Sequence, residues 1–123
     1  MELLTSRDWW SSVLNAWNAD DDALHSLAGL GSVELQVVPL GFRLQVHWNS
    51  LGAANLVPAA DLDPLVQITI AGTGDNWYKF LRGEFTAAGS ILTRRLLFNG
   101  PFAVGLKYAK GFDRLSVVAR TKL

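Results

Sequence analysis

The sequence predicts an α+β fold: a mainly antiparallel sheet of about five strands with helices covering one face. Two observations carry that expectation. Apolar and polar residues alternate with a period of two through the middle of the chain, and apolar stripes with helical spacing flank that region on both sides. Read in order, the marked elements run helix, three strands, helix, helix, strand, helix.

Thr5-Ser6-Arg7-Asp8 is a helix start, with Thr5 or Ser6 as the cap and Asp8 in the positive first turn. Trp10, Val13, Leu14 and Trp17 then share one face. Asn18 to Asp22 breaks or re-caps that helix, and the short turn from Ala23 to Ala28 ends at Gly29 and Gly31. From Val33 the period changes. Val33, Leu35 and Val37 point one way, Glu34 and Gln36 the other. After the turn Pro39-Leu40-Gly41, the residues Phe42, Leu44, Val46 and Trp48 alternate with Arg43, Gln45 and His47. Asn49 to Pro58 reads as loop, and Val66, Ile68 and Ile70 share the apolar face of a third strand. One oily and one wet face per strand is the pattern of a sheet covered on a single side.

Ala71 to Asp75 is a turn that becomes a helix cap. Trp77, Phe80 and Leu81 follow at i, i+3 and i+4 until Gly83. Thr86 to Thr93 is a second short helix contributing Ile91 and Leu92, and Arg94 to Phe98 a strand with Leu96 and Phe98 inward. Asn99-Gly100-Pro101 turns the chain, and Pro101 suits the start of a terminal helix. On that helix Phe102, Leu106, Ala109 and Phe112 or Asp113, with Leu115 and Val118 further on, trace the expected buried stripe. Gly105 and Gly111 each weaken it by about 1 kcal/mol relative to alanine, leaving either a mobile helix or close packing as their purpose.

Composition bounds the function. A chain of 123 residues makes one domain, 1–123, with room for a core. The absence of cysteine excludes disulfides, thiol chemistry and cysteine-bound metal. Eleven basic and eleven acidic residues leave no surplus charge for displacing counterions, which argues against a nucleic-acid partner. The start Met1-Glu2-Leu3-Leu4 lacks the basic and apolar regions of a secretory signal, and no apolar run approaches the ~20 residues of a membrane span. A soluble, cytoplasmic protein is the expectation. Arg94, Arg95, Lys107, Lys110, Arg114, Arg120 and Lys122 make the last part of the chain basic, either as a solvated face or as a weak attraction to an anionic membrane surface.

No catalytic or metal-binding pattern stands out. His25 and His47 lack ligand spacing, so no metal is expected. Asp20-Asp21-Asp22 lacks the glycine and terminal glutamate of a calcium loop and reads as a cap. Gly72-Thr73-Gly74 lacks the third glycine of a dinucleotide site, and no serine sits in a nucleophile elbow. The stretch from Asn76 to Leu115 nevertheless carries more large apolar side chains than its short elements need for packing. Apolar surface without chemistry points to holding a greasy ligand.

The local wording supports that reading. Trp17-Asn18-Ala19-Asp20-Asp21-Asp22, the helix Tyr78-Lys79-Phe80-Leu81-Arg82-Gly83-Glu84-Phe85, the small-residue turn before Ile91 and the strand closing at Gly100 resemble bacterial stand-alone members of the sterol carrier protein 2 domain family. The resemblance spans almost the whole chain on loose motifs. Thr93 or Arg94 stands where the family often has glycine. The end Thr121-Lys122-Leu123 shares two residues with a peroxisomal signal but lacks its serine, so it is not read as one.

The resemblance implies a non-enzymatic domain that binds sterols, fatty acyl groups or other lipids in an apolar tunnel between sheet and helices, without catalytic residues or cofactor. Trp77, Phe80, Leu81, Phe85, Ile91, Phe98, Phe102 and Leu106, with Val46, Trp48 and Ile68 from the sheet, are the candidate lining, each with plain core packing as its competing role. Each buried acyl CH₂ gains about 0.8 kcal/mol over water. A bilayer offers the same gain, so a carrier needs only a modest pocket. An empty pocket of at least ~300 Å³ would cost roughly 7 kcal/mol at ~24 cal/mol per Å³. The ligand-free protein should therefore collapse by helix movement or purify with lipid inside. Two rival readings are a small cone-pocket enzyme of the steroid isomerase kind and a dimerising scaffold, with monomer or homodimer left open. The enzyme would need a carboxylate or tyrosine inside the cavity, whereas the inward strand positions are apolar and Asp61, Asp63, Asp75 and Glu84 fall in loops or near helix ends.

Overall fold

A computed structural model describes residues 3–123. Met1 and Glu2, half of the start read against a secretory signal, lie outside the described residues. The elements are α1 (Arg7–Asn18), α2 (Asp21–Leu24), β1 (Gly31–Val38), β2 (Phe42–Trp48), β3 (Ala54–Leu56), β4 (Ile68–Thr73), α3 (Gly74–Leu81), α4 (Ala87–Leu92), β5 (Leu97–Asn99) and α5 (Phe102–Arg120), with short 3₁₀ turns at Leu3–Thr5 and Ala59–Asp61. The five strands form one sheet in the order β3-β2-β1-β4-β5.

Ser6 caps α1 by accepting the N–H of Trp9, and Asp20 re-caps the chain for α2 by accepting the N–H groups of Asp22 and Ala23. Trp10, Val13, Leu14 and Trp17 are all buried, as the stripe predicts. Trp9 is buried too, and its indole N–H reaches the carbonyl of Lys122 at 3.0 Å, joining α1 to the end of the chain.

In the sheet, Val33 and Leu35 lie opposite Val46 and Leu44 of antiparallel β2 and beside Ile68 and Ile70 of β4. The β1–β4 pair is parallel, while β1–β2, β2–β3 and β4–β5 are antiparallel. The expectation of a mainly antiparallel sheet holds, with a parallel pair at its centre. These inward residues form one apolar core with the buried faces of α1, α3 and α5.

Three sequence assignments are corrected. β3 lies inside the stretch read as loop; three residues, one of them Asn55, are too few to show alternation. The third strand begins at Ile68, leaving Val66 half-buried before it. The last strand is Leu97–Asn99, not Arg94 to Phe98, because Arg94 takes the left-handed conformation (φ 58°) as the chain leaves α4.

The expected stripe of α5 holds at Ala109, Phe112, Leu115 and Val118 but fails in the first turns. Gly105, Ala109, Phe112, Leu115, Ser116 and Ala119 face inward, while Phe102 and Leu106 stand exposed. The cause is close approach at the glycines. A Cβ on Gly105 would come within 3.1 Å of the Phe98 ring, and one on Gly111 within 2.6 Å of the Ser26 carbonyl. Both glycines serve packing.

The wet face is also not uniformly wet. Glu34 and Gln45 are buried. The Glu34 carboxylate accepts hydrogen bonds from Arg43 at 2.8 Å, Gln45 at 3.0 Å and Gln36. Gln45 donates to the Asp63 carbonyl and accepts the Asp63 N–H, both at 2.8 Å, which clips residues 57–67 over this side of the sheet.

Candidate functional site

The interior between sheet and helices contains a cavity of about 20 Å³. Its floor is Leu35 and Ile70 of the sheet. Its walls are Trp10 of α1, Trp77, Phe80 and Leu81 of α3, Ala87 and Ile91 of α4, Leu96, and Phe112 and Leu115 of α5.

Local sequence places each wall. Thr73 caps α3 by accepting the Asn76 N–H, which sets Trp77, Phe80 and Leu81 on the inner face. The Trp77 indole donates to the Gln36 carbonyl at 2.8 Å and meets the rings of Trp10 and Phe80 edge-on, with centroids 6.4 and 6.2 Å away. Thr86 caps α4, and the adjoining Ala87 N–H donates to the Asp113 carboxylate of α5 at 2.7 Å. Two further hydrogen bonds tie this layer down: Asn76 to the Arg95 carbonyl at 3.1 Å, and Arg120 of α5 to the Leu81 carbonyl at 3.0 Å.

Four of the sequence candidates, Trp77, Phe80, Leu81 and Ile91, meet at this cavity. Val46, Trp48 and Ile68 are buried in the core but do not touch it. Phe85 is half-buried with the Arg95 guanidinium 4.8 Å from its ring centre, and Phe98 is half-buried under Gly105. Phe102 and Leu106 are on the surface. Of the remaining wall residues, all but Ala87 belong to stripes or strand faces that the sequence marked as core, and nothing in a one-dimensional pattern separates a cavity wall from ordinary packing.

The volume differs sharply from a lipid tunnel. About 20 Å³ admits roughly one water-sized probe, against ~300 Å³ or more for a ligand pocket. The protein's own side chains fill the rest. Two wider depressions, about 320 Å³ by Leu30, Ser32 and Val66 and about 410 Å³ by Val38, Leu40 and Thr73, lie elsewhere.

The chemistry of the walls is uniform. Among the described residues no carboxylate, histidine or tyrosine lines the cavity. The buried carboxylate of Glu34 is on the opposite face of the sheet, where burial pushes its pKa up but the bonds from Arg43, Gln45 and Gln36 outweigh that and hold it below the ordinary value. Asp20 is likewise lowered, first by its bond from the Ala23 N–H and further by Arg114. Among the described residues two buried polar groups are unmatched, the Arg114 Nε–H and, in the core, the Trp48 indole N–H. The indoles of Trp9, Trp10, Trp17 and Trp77 each donate to a backbone carbonyl, whereas the buried N–H of Trp48 meets no protein acceptor. The Trp48 ring packs 6.3 Å from Phe112, a wall of the cavity. Among the described residues no helix is long and apolar enough to cross a membrane.

No family model matches the chain, and no curated protein matches it by sequence. Solved structures do match. A crystal structure of sterol carrier protein 2 superposes with a TM-score of 0.77 at 20% identity, covering 95% of this chain and 97% of that one. UbiJ-SCP2, a ubiquinone synthesis protein, gives 0.59 at 15% identity over 89% and 90%. The apo form of sterol carrier protein 2 from Yarrowia lipolytica gives 0.54 at 13% identity over 89% and 88%. At these identities the likeness is one of architecture, and over nearly its full length this chain has the fold of the sterol carrier protein 2 domains.

Proposed function

We propose that the protein is a non-enzymatic cytoplasmic carrier that holds a sterol, fatty acyl chain or other lipid in an expanded form of the cavity between sheet and helices. The observation that carries this reading is the cavity wall: among the described residues, ten from four helices and the sheet, with Leu96 from the turn before β5, converge on it without one ionisable group. The fold shared with sterol carrier proteins supports the same reading.

At about 20 Å³ the cavity is the collapsed state that the cost of an empty pocket demands. A lipid enters by displacing α3 and α4 outward. The movement breaks few polar contacts, chiefly the Trp77–Gln36 bond under α3, those of Asn76 and Arg120, and the Asp113–Ala87 pair at the rim. As the space grows past Phe112, the ligand reaches Trp48, whose free N–H offers a donor to the one hydroxyl, carbonyl or carboxylate a lipid carries. Val46, Ile68, Phe85 and Phe98 border the enlarged volume.

Organic extracts of the purified protein should contain near-stoichiometric host lipid by mass spectrometry, or the lipid-free protein should bind a fluorescent fatty acid saturably. Phe80→Asp places a carboxylate in the wall and should abolish binding, with circular dichroism confirming that the variant is folded. If the native protein yields neither extractable lipid nor saturable uptake, the carrier reading is wrong.

A further inference from the structure

We infer that the outward face of the first half of α5 is a docking surface for an anionic lipid bilayer, with Phe102 and Leu106 as apolar anchors and Lys107 and Lys110 as charge contacts. The proposal rests on the carrier reading only for its purpose, since a carrier must meet the membrane it loads from.

Phe102 and Leu106 are 57% and 48% exposed, one helical turn apart, and Lys110 continues the same row a turn later. Ala103 and Lys107 lie beside them, also exposed. The helix is already seated by the other side of these turns, where Gly105 meets Phe98 and Ala109 and Phe112 are buried. The two large apolar side chains therefore lie outside the core cluster and keep about half of their surface in water.

Charge chooses the partner. The stretch from Phe102 to Lys110 holds two lysines and no acid. The first acid of α5, Asp113, is occupied by the Ala87 N–H. The start of α5 adds to the positive field, because Pro101 provides no side-chain cap and the first turn has no acid. The starts of α1, α2, α3 and α4 are each capped by a side-chain oxygen, from Ser6, Asp20, Thr73 and Thr86. Apolar anchors flanked by lysines on one helical face match an interface where acyl chains lie beneath anionic headgroups. A second copy fits badly. A two-fold contact through this face would crowd four lysines, two from each copy, around one small apolar patch that offers no acid to pair with them. Other exposed leucines, such as Leu40, Leu51 and Leu65, are scattered on separate turns and loops.

The test uses the intact protein and vesicles of phosphatidylcholine with or without phosphatidylglycerol. Wild type should sediment with the anionic vesicles at low salt and be released as salt rises. Lys107→Gln with Lys110→Gln should weaken that binding about thirtyfold, and Phe102→Ser with Leu106→Ser should abolish it, while Leu65→Ser leaves it unchanged. Because the chain has no cysteine, Leu106→Cys can carry a single environment-sensitive fluorophore, which should shift to the blue on anionic vesicles. Failure of wild type to bind, equal binding by the charge variants, or a label that stays in water would each overturn the proposal. Fatty-acid uptake without vesicles separates the two readings: uptake without docking sinks only the surface, and docking without uptake sinks only the carrier.

Discussion

Glu34 shows how much one side chain organises in this protein. Its carboxylate gathers Arg43, Gln36 and Gln45, and Gln45 in turn grips the backbone of Asp63. The carboxyl is held below its ordinary pKa, so the folded state binds this proton less readily than the unfolded chain. Its contribution is complete above the unfolded value of about 4.3 and is lost as pH falls through the lower folded value. Glu34→Gln should therefore reduce stability at neutral pH by about 1–3 kcal/mol. The gap between variant and wild type should close in acid. Urea unfolding at neutral pH and at low pH measures both, and a gap independent of pH would show that the charge is not what matters. The sequence placed Glu34 correctly on the second face but gave no sign of its burial. That depends on a clip from residues far along the chain.

Among the elements, α1, β1, β2 and α3 were legible because each has enough residues to show its period. The direction of pairing was not, since Val66, Ile68 and Ile70 alternate identically in a parallel or an antiparallel neighbour. The inward face of the first turns of α5 was misjudged for a different reason. Large apolar residues mark the buried side of most helices, but here glycines mark it, because the helix lies close against Phe98 at Gly105 and against Ser26 and Leu27 at Gly111. Those neighbours separate two otherwise equivalent substitutions. Each Gly→Ala gains about 1 kcal/mol of helix propensity. At Gly105 the new methyl meets a half-buried ring that can shift, so Gly105→Ala should be close to neutral or stabilising. At Gly111 it meets the Ser26 carbonyl, which belongs to the backbone, and Gly111→Ala should lose about 1–3 kcal/mol net. Thermal melts of both variants decide it, and equal effects would contradict the packing described.

At the scale of the molecule, the site was half visible. The spacing of Trp77, Phe80 and Leu81 and the position of Ile91 put them at the cavity, while Trp10, Phe112 and Leu115 joined them only through the folding together of distant helices. The collapsed volume makes the interior sensitive to what fills it. Leu115→Ala should enlarge the cavity and lower the stability of lipid-free protein by about 2–5 kcal/mol. A saturating fatty acid should restore part of that loss, because binding to the folded state alone raises its melting temperature. Melting curves with and without ligand test the coupling, and an identical shift for wild type and variant would mean the ligand does not occupy this space.

The hydrogen bond from Trp9 to Lys122 joins the first long helix to the turn just past the last one. A nascent chain on the ribosome consequently cannot shelter Trp10 or Trp17 until α5 has been translated, because Phe112, Leu115, Val118 and Ala119 share their core. The core thus closes only once α5 is available, and until then the tryptophans of α1 lack the apolar partners that cover them.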